Sequence, residues 1–400
     1  MMSAAVAFLL LLSPQDWSGW RGAGRDGKVA DFQPPAAWPK ELQRGWQTEV
    51  GEGISSPALV GGRLYLHTRQ GDDETILCLD ASTGKEIWKD RIAVAFEPEG
   101  AAKAYGKGPF SSPSVADGRV YAFGITGILT CLDAKSGQIV WRQDFRDAFP
   151  KAYPLWGTGL SPLLVDGMCI VHVGREDKGM MVALNGADGK QRWSWDGDGP
   201  GYGSPVAATI AGRPQIIAQT ENSVVGLAAA DGKLLWQIEY KTSYDQNSVT
   251  PVVMDNLVIL SGFKKGTEAW RIDGPKPEQA WQSSGVSMYM STPVLKGDRL
   301  FGFSEKRSGQ FFCLDAKSGA TLWTGEGRQG ENAAVVDGGG VILALTSKSE
   351  LIVFDADEKA YAERARYKVA DTPTWAHPAV SGRSIFIKDK TLLTQFEIKP

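Results

Sequence analysis

Residues 131–141 read CLDAKSGQIVW, and residues 313–323 read CLDAKSGATLW. A third copy, CLDASTGKEIW, occupies 78–88. Aligning on this unit adds ALNGADGKQRW (183–193), GLAAADGKLLW (226–236) and RIDGPKPEQAW (271–281). The closing residues are Trp88, Trp141, Trp193, Trp236, Trp281 and Trp323, separated by 53, 52, 43, 45 and 42 positions. A repeat of this length is the signature of a solenoid or a propeller.

A second phrase precedes each unit, as in SSPALVGGRLYLHT from Ser55 and SSPSVADGRVYAFG from Ser111. Further copies start at Leu160, Gly203, Val249, Ser291, Ala333 and His377, making eight. An apolar run after the Pro reads as a first strand, a Gly or Asp pair as its turn, and the alternating segment that follows as a second strand. A third strand ends in L-D-A, and S-G or T-G makes a hairpin in which Gly takes positive φ at little cost. The segment ending in Trp is the fourth. Four antiparallel strands per unit define the blade of an all-β, eight-bladed propeller.

The eighth copy stops at TLLTQFEIKP without a fourth strand. Trp46, in QRGWQTEV, lies 42 residues before Trp88 and so falls on period. The stretch around it is expected to supply the missing outer strand and close the ring, removing an open sheet edge. The seventh unit, VFDADEKAYAERARY, lacks the S-G turn, which predicts a longer hairpin with Tyr367 in the docking position.

With 47 Gly, 14 Trp and a net charge of −3 over 400 residues, the chain has no basic bias and nucleic acid is not an expected partner. Cys78, Cys131 and Cys313 share one place in the unit and, with Cys169, form no C-x-x-C pair, so they read as small buried residues. The run Ala4 to Leu12 is too short to span a bilayer and suits a secretory signal. The expected organisation is a signal at 1–16, a leader at 17–43 and the propeller at 44–400, placed in the periplasm or secreted.

The unit resembles the pyrroloquinoline-quinone-type propeller repeat, A-x-D-x-x-T-G-K-x-x-W, matched best by Asp80 to Trp88 and by Asp133 to Trp141. In that family the tryptophan docks flat on the next blade, which implies structural docking roles for Trp46, Trp88, Trp141, Trp193, Trp236, Trp281 and Trp323. The leader WSGWRGAGRDG, 17–27, is similar to a motif that often precedes exported propellers of this kind. Arg21, Arg25 and Asp26 are expected either to fold back on the ring or to stay solvated.

The loops before first strands and those between second and third strands emerge on one face. Its candidate ligand or partner residues are Arg69, Phe110, Trp156, Arg175, Tyr202, Asn247, Tyr289, Asn332, Trp375 and His377, with further charges at Lys264, Lys265, Lys306, Arg307 and Lys348. His67 and His172 occupy equivalent places, each ten residues after its blade's Pro, and read as satisfied imidazoles. The run DGDGPG, Asp196 to Gly201, has Ala207 where a calcium loop needs Glu, so it reads as a glycine-rich turn. No G-x-S-x-G, H-E-x-x-H or phosphate-loop motif occurs.

The expected function is therefore a non-catalytic binding or assembly scaffold for a protein or ligand at one face, with no catalytic residue, metal or cofactor assigned and no transmembrane helix. The resemblance implies kinship with the propeller lipoproteins that assist outer-membrane protein assembly. It also implies an alternative, a dehydrogenase using pyrroloquinoline quinone with calcium, or an enzyme whose site is gathered from several blades.

Overall fold

The computed structural model describes residues 16–149, 153–175 and 178–399, and the expected signal segment falls almost wholly outside them. Eight sheets of four antiparallel strands make the eight-bladed propeller. Seven blades are continuous in sequence. The eighth consists of Ala379–Ser381, Ser384–Lys388 and Leu392–Glu397 with Gln43–Glu49 as its outer strand, so the two ends of the chain share one sheet. Trp46 pairs with Gln395 just after a bulge at Gly45, where an added Cβ would lie 1.8 Å from the Gln395 amide oxygen. Among the described residues no helix is long and apolar enough to cross a membrane.

The repeated letters have two structural tasks. In D-A-x-x-G the aspartate folds the turn: Asp80 Oδ1 accepts the backbone N–H of Ser82 (3.0 Å) and Thr83 (2.9 Å) together with both hydroxyls. Asp133 and Asp315 accept the two backbone N–H groups and one serine hydroxyl of their own turns. The Gly that follows lies under the tryptophan of the preceding blade. Gly84, Gly137, Gly189, Gly232 and Gly319 all have positive φ, and a Cβ on any of them would lie 2.4–2.7 Å from an indole ring. Each docked indole also donates Nε1–H to a carbonyl beside the turn. Trp46 reaches Ala81, Trp88 reaches Ala134, Trp141 reaches Gly186 and Trp193 reaches Ala229, at 3.0–3.1 Å.

The docking set has one internal exception. Trp236 is buried against blade 5 but donates to Gln215 Oε1 of its own blade at 2.6 Å. The facing hairpin reads IDGPKP; its Gly274 meets no neighbouring atom and Ile272 fills the place of the usual Ala. Blade 7 departs from the expected docking by Tyr367: the place opposite Val353, just before the strand bulge, is held by Ala365, because the longer hairpin shifts the aromatic residue. Tyr367 pairs with Leu351 two residues on and donates its hydroxyl to Pro39 O at 2.8 Å.

Across the sheet from the tryptophans of blades 1–6 stands a small residue, Cys78, Cys131, Ala183, Gly226, Ala269 or Cys313, whereas Trp46 faces Gln395. All four cysteines are buried free thiols. Burial pushes Cys78 up to about 11 and Cys131 and Cys313 up to about 12, which keeps them protonated.

A second belt joins the blades near the axis, and it explains the hydroxyl in S-S-P, G-S-P and V-T-P. His377 N–H donates to Ser56 Oγ, Ser56 N–H to Ser112, Ser112 to Ser161, Ser161 to Ser204, Ser204 to Thr250 and Thr250 to Thr292, at 2.8–3.1 Å. Each hydroxyl satisfies a buried N–H on the blade before it. The chain of bonds stops at blade 7, whose phrase has Ala333 and Ala334 instead.

Candidate functional site at the channel mouth

The leader folds back into the ring. Trp17 exchanges backbone hydrogen bonds with Leu59 on the innermost strand of blade 1, and Ser18 O accepts the N–H of Val115 on that of blade 2. Further along the leader, Gly27 O accepts the N–H of Asp337 in blade 7. Arg21, 1% exposed, donates to Thr292 O and Pro293 O at 2.6 Å and to Asp26 O at 3.0 Å. Arg25 donates to Pro162 O (2.6 Å) and Ser161 O (3.0 Å). Burial, offset only in part at Arg21 by the Asp26 carboxylate, lowers both guanidinium groups to about 10, so they stay charged. Held between them, Trp20 has both guanidinium carbons within 6 Å of its ring and forms the floor of a bowl at the channel mouth.

The bowl is concave and opens to solvent. Of the ten face residues expected from the sequence, Phe110, Trp156, Tyr202, Tyr289, Asn332, Trp375 and His377 line it. Tyr105, from the 3₁₀ turn Gly100–Tyr105, stands among them, with its ring 5.6 Å from Trp156 and 5.3 Å from Trp375. It faces Tyr289 from the opposite side of the ring, and burial pushes the ionisation of both phenols to higher pH, so their hydroxyls remain protonated. His377 packs edge-on against Trp20 at 5.6 Å, and burial together with the charge of Arg21 holds it neutral. None of the residues lining the bowl carries a formal charge.

The other three expected residues lie elsewhere. Arg69, 3% exposed, donates to Lys107 O, Asp72 O and Val94 O, bracing the loop that carries Tyr105. Asn247 is fully buried; its amide donates to Thr220 O, Glu221 O and Tyr240 O, fixing the loop whose Gln246 and Ser248 reach the bowl. Arg175 ends the second strand of blade 3, opposite Lys178 and away from the bowl.

The two equivalent histidines have separate partners. His67 Nε2 is 3.3 Å from Glu74 Oε2, in a buried group with Arg69. Burial works against ionising Glu74, but His67, the N–H of Ile125 and Arg69 together hold it below the usual carboxylate range. His172 Nε2 lies 2.9 Å from Asp198 O, and burial lowers this imidazole to about 4. Asp198, within DGDGPG, accepts hydrogen bonds from Thr220 and from the backbone and side chain of Asn222, so it serves a turn. Among the described residues no cluster of three His, Cys, Asp or Glu could hold a metal.

Trp20 and Tyr105 were outside the face residues expected from sequence. Trp20 belongs to the leader, and only the fold brings it to the axis. Tyr105 had a signal: the first two intervals between tryptophans exceed the others by about ten residues, and the first of these insertions carries it over the mouth.

The description "Outer membrane protein assembly factor BamB" belongs to the family whose model matches residues 25–102 and 72–325. The chain belongs to this family. The two matched stretches overlap, as a repeated unit allows. BamB of Yersinia pestis is 24% identical over 297 residues, spanning 70% of this chain and 69% of its own length. Among solved structures, BamB from Moraxella catarrhalis superposes with a TM-score of 0.67 at 13% identity, over 89% of this chain and 99% of that one. Quinohemoprotein alcohol dehydrogenase from Comamonas testosteroni reaches 0.70 at 13% identity, over 96% and 80%. At these identities the superpositions establish the shared fold and leave the chemistry of the mouth to its own residues.

Those residues do not fit the quinone. Pyrroloquinoline quinone is a tricarboxylate used with calcium, and binding it needs cationic donors and metal-ligating carboxylates. The bowl offers hydroxyls, amides, a neutral imidazole and aromatic faces. Arg21 and Arg25 lie below the floor, with their terminal nitrogens donating to backbone carbonyls.

Proposed function

We infer that the protein is an exported binding propeller of the cell envelope that holds a protein partner at the mouth of its ring, in the manner of an assembly factor. The observation that carries this reading is the bowl: a concave, uncharged, aromatic surface on one face, closed beneath by Trp20. Such surfaces bury apolar side chains of a partner and use a few hydrogen bonds to fix their orientation. Membership of the BamB family supports a protein as that partner. The reading assigns no reaction to the bowl.

Site-specific photocrosslinking tests it. A photoreactive residue at Trp375, on the bowl wall, is expected to give protein adducts in envelope extracts, whereas one at Ile87, exposed on the outer strand of blade 1, gives none. Adducts from position 87 alone would move the binding surface to the rim of the ring.

A further inference from the structure

Charge around the mouth is unevenly placed. On blades 5, 6 and 7 the loops between second and third strands carry Lys264, Lys265, Lys306, Arg307 and Lys348, and the segment leaving blade 6 adds Arg328. Against these six cations stand the carboxylates Asp245, Glu305, Glu326 and Glu331. Lys265 donates to Lys241 O (3.0 Å), Lys306 to Ser284 O and Lys348 to Arg328 O (2.6 Å), so these ammonium groups rest on backbone carbonyls, Lys265 also feeling the carboxylates of Glu268 and Glu239. A chain with a net charge of −3 thus keeps a positive crescent beside the bowl.

An aromatic path runs from the bowl into that crescent. Tyr289 lines the bowl, Phe263 packs on it at 4.8 Å, and Tyr244 follows at 6.3 Å. Lys264 Nζ sits 4.9 Å from the Phe263 ring. Tyr244 is 75% exposed and adopts φ of +63°, a left-handed region that is unfavourable for an L-residue. The loop thus holds a large ring in water, in a costly backbone conformation, at the end of the path.

We propose that this side of the mouth binds an acidic protein segment bearing an aromatic side chain, its ring in the bowl and its carboxylates over the lysines of blades 5–7. The proposal rests on the reading that the partner is a protein. Two requirements select the occupant. The bowl rejects charge, because a carboxylate placed there would lose its water and meet no cation in return. The crescent needs charge. A polypeptide supplies both within a few residues, at roughly 3.3–3.6 Å per extended residue, whereas an acidic polysaccharide brings charge to the bowl along with its rings.

The test uses the full chain and a dye-labelled peptide of Asp, Glu, Gly and Ser containing one Phe, followed by fluorescence anisotropy. Saturable binding is expected, weakened roughly tenfold or more when the peptide's Phe becomes Ala. Added salt weakens it, as does the exposed pair Lys264→Glu with Lys306→Glu, by roughly tenfold. Unchanged circular dichroism of the double variant ties that loss to charge. Equal binding of a peptide with Lys in place of the acids, no effect of the charge reversals, or binding of polygalacturonate in place of the peptide would each overturn the proposal. If the peptide fails to bind while crosslinks from position 375 persist, the charge assignment falls and the mouth reading stands. If those crosslinks are lost as well, both fall.

Discussion

Docking of each tryptophan on its neighbour's turn can be isolated by a pair of substitutions in blade 2. Gly118 and Gly137 have nearly the same backbone, with φ of +70° and +74°, so alanine at either position incurs the same left-handed strain of about 1–2 kcal/mol. Their surroundings differ. A Cβ at 118 meets nothing within 4 Å, whereas one at 137 lies 2.6–2.9 Å from three atoms of the Trp88 ring. The indole must then lift from the turn, which loosens the 3.1 Å bond from Nε1 to Ala134 O and opens the contact of blades 1 and 2. Such overpacking costs about 1–3 kcal/mol. Gly137→Ala is therefore expected to lose about 1–3 kcal/mol more than Gly118→Ala in urea unfolding, read as a lower midpoint at unchanged slope. Equal losses would refute the argument that the turn glycine is required by the neighbouring indole.

Three more expectations follow from the same geometry. Ser112→Ala removes the acceptor of the Ser56 N–H, a buried bond of 2.8 Å, and should cost about 1–3 kcal/mol in the same assay. His172 is held neutral by burial and lowered from 6.5 to about 4. Between those values the unfolded chain binds a proton that the folded chain does not, so its contribution is full above about 6.5 and is lost as pH falls toward 4. It amounts to about 3 kcal/mol, and His172→Gln should flatten that part of a pH–stability curve. Arg21→Met leaves the carbonyls of Thr292 and Pro293 without their charged donor; a loss of roughly 3 kcal/mol is expected, with a red shift of tryptophan emission as the floor of the bowl loosens.

The fold was legible in the sequence because the repeated letters sit where local physics fixes the residue. Asp makes the turn, Gly accepts positive φ beneath an indole, and Cys, Ala or Gly leaves room across from that indole. The closing strand was legible through Trp46, whose spacing matched the period. Trp236 shows where the pattern stops determining contacts: its letter repeats, but the hairpin it faces does not, and its hydrogen bond stays within blade 4.

The mouth was only partly legible. Seven of the residues found by counting loops line the bowl, because strand order alone decides which loops share a face. It did not separate side chains that line the bowl from those one layer behind, and Arg69 and Asn247 both serve backbone carbonyls. Reach depends on loop conformation, to which the repeat contributes nothing. For the same reason Trp20 and Tyr105, the floor and the far wall, come from the two segments that stand outside the repeated pattern.

Hydrogen exchange of the protein with and without its crosslinked partner tests the central claim most directly. Binding at the mouth predicts new protection of residues 100–112, 244–250, 286–292 and 372–378, with the turns at Gly61, Gly118 and Gly297 on the opposite face unchanged. Protection confined to those turns, or to the outer strands that carry Ile87 and Ile139, would contradict it.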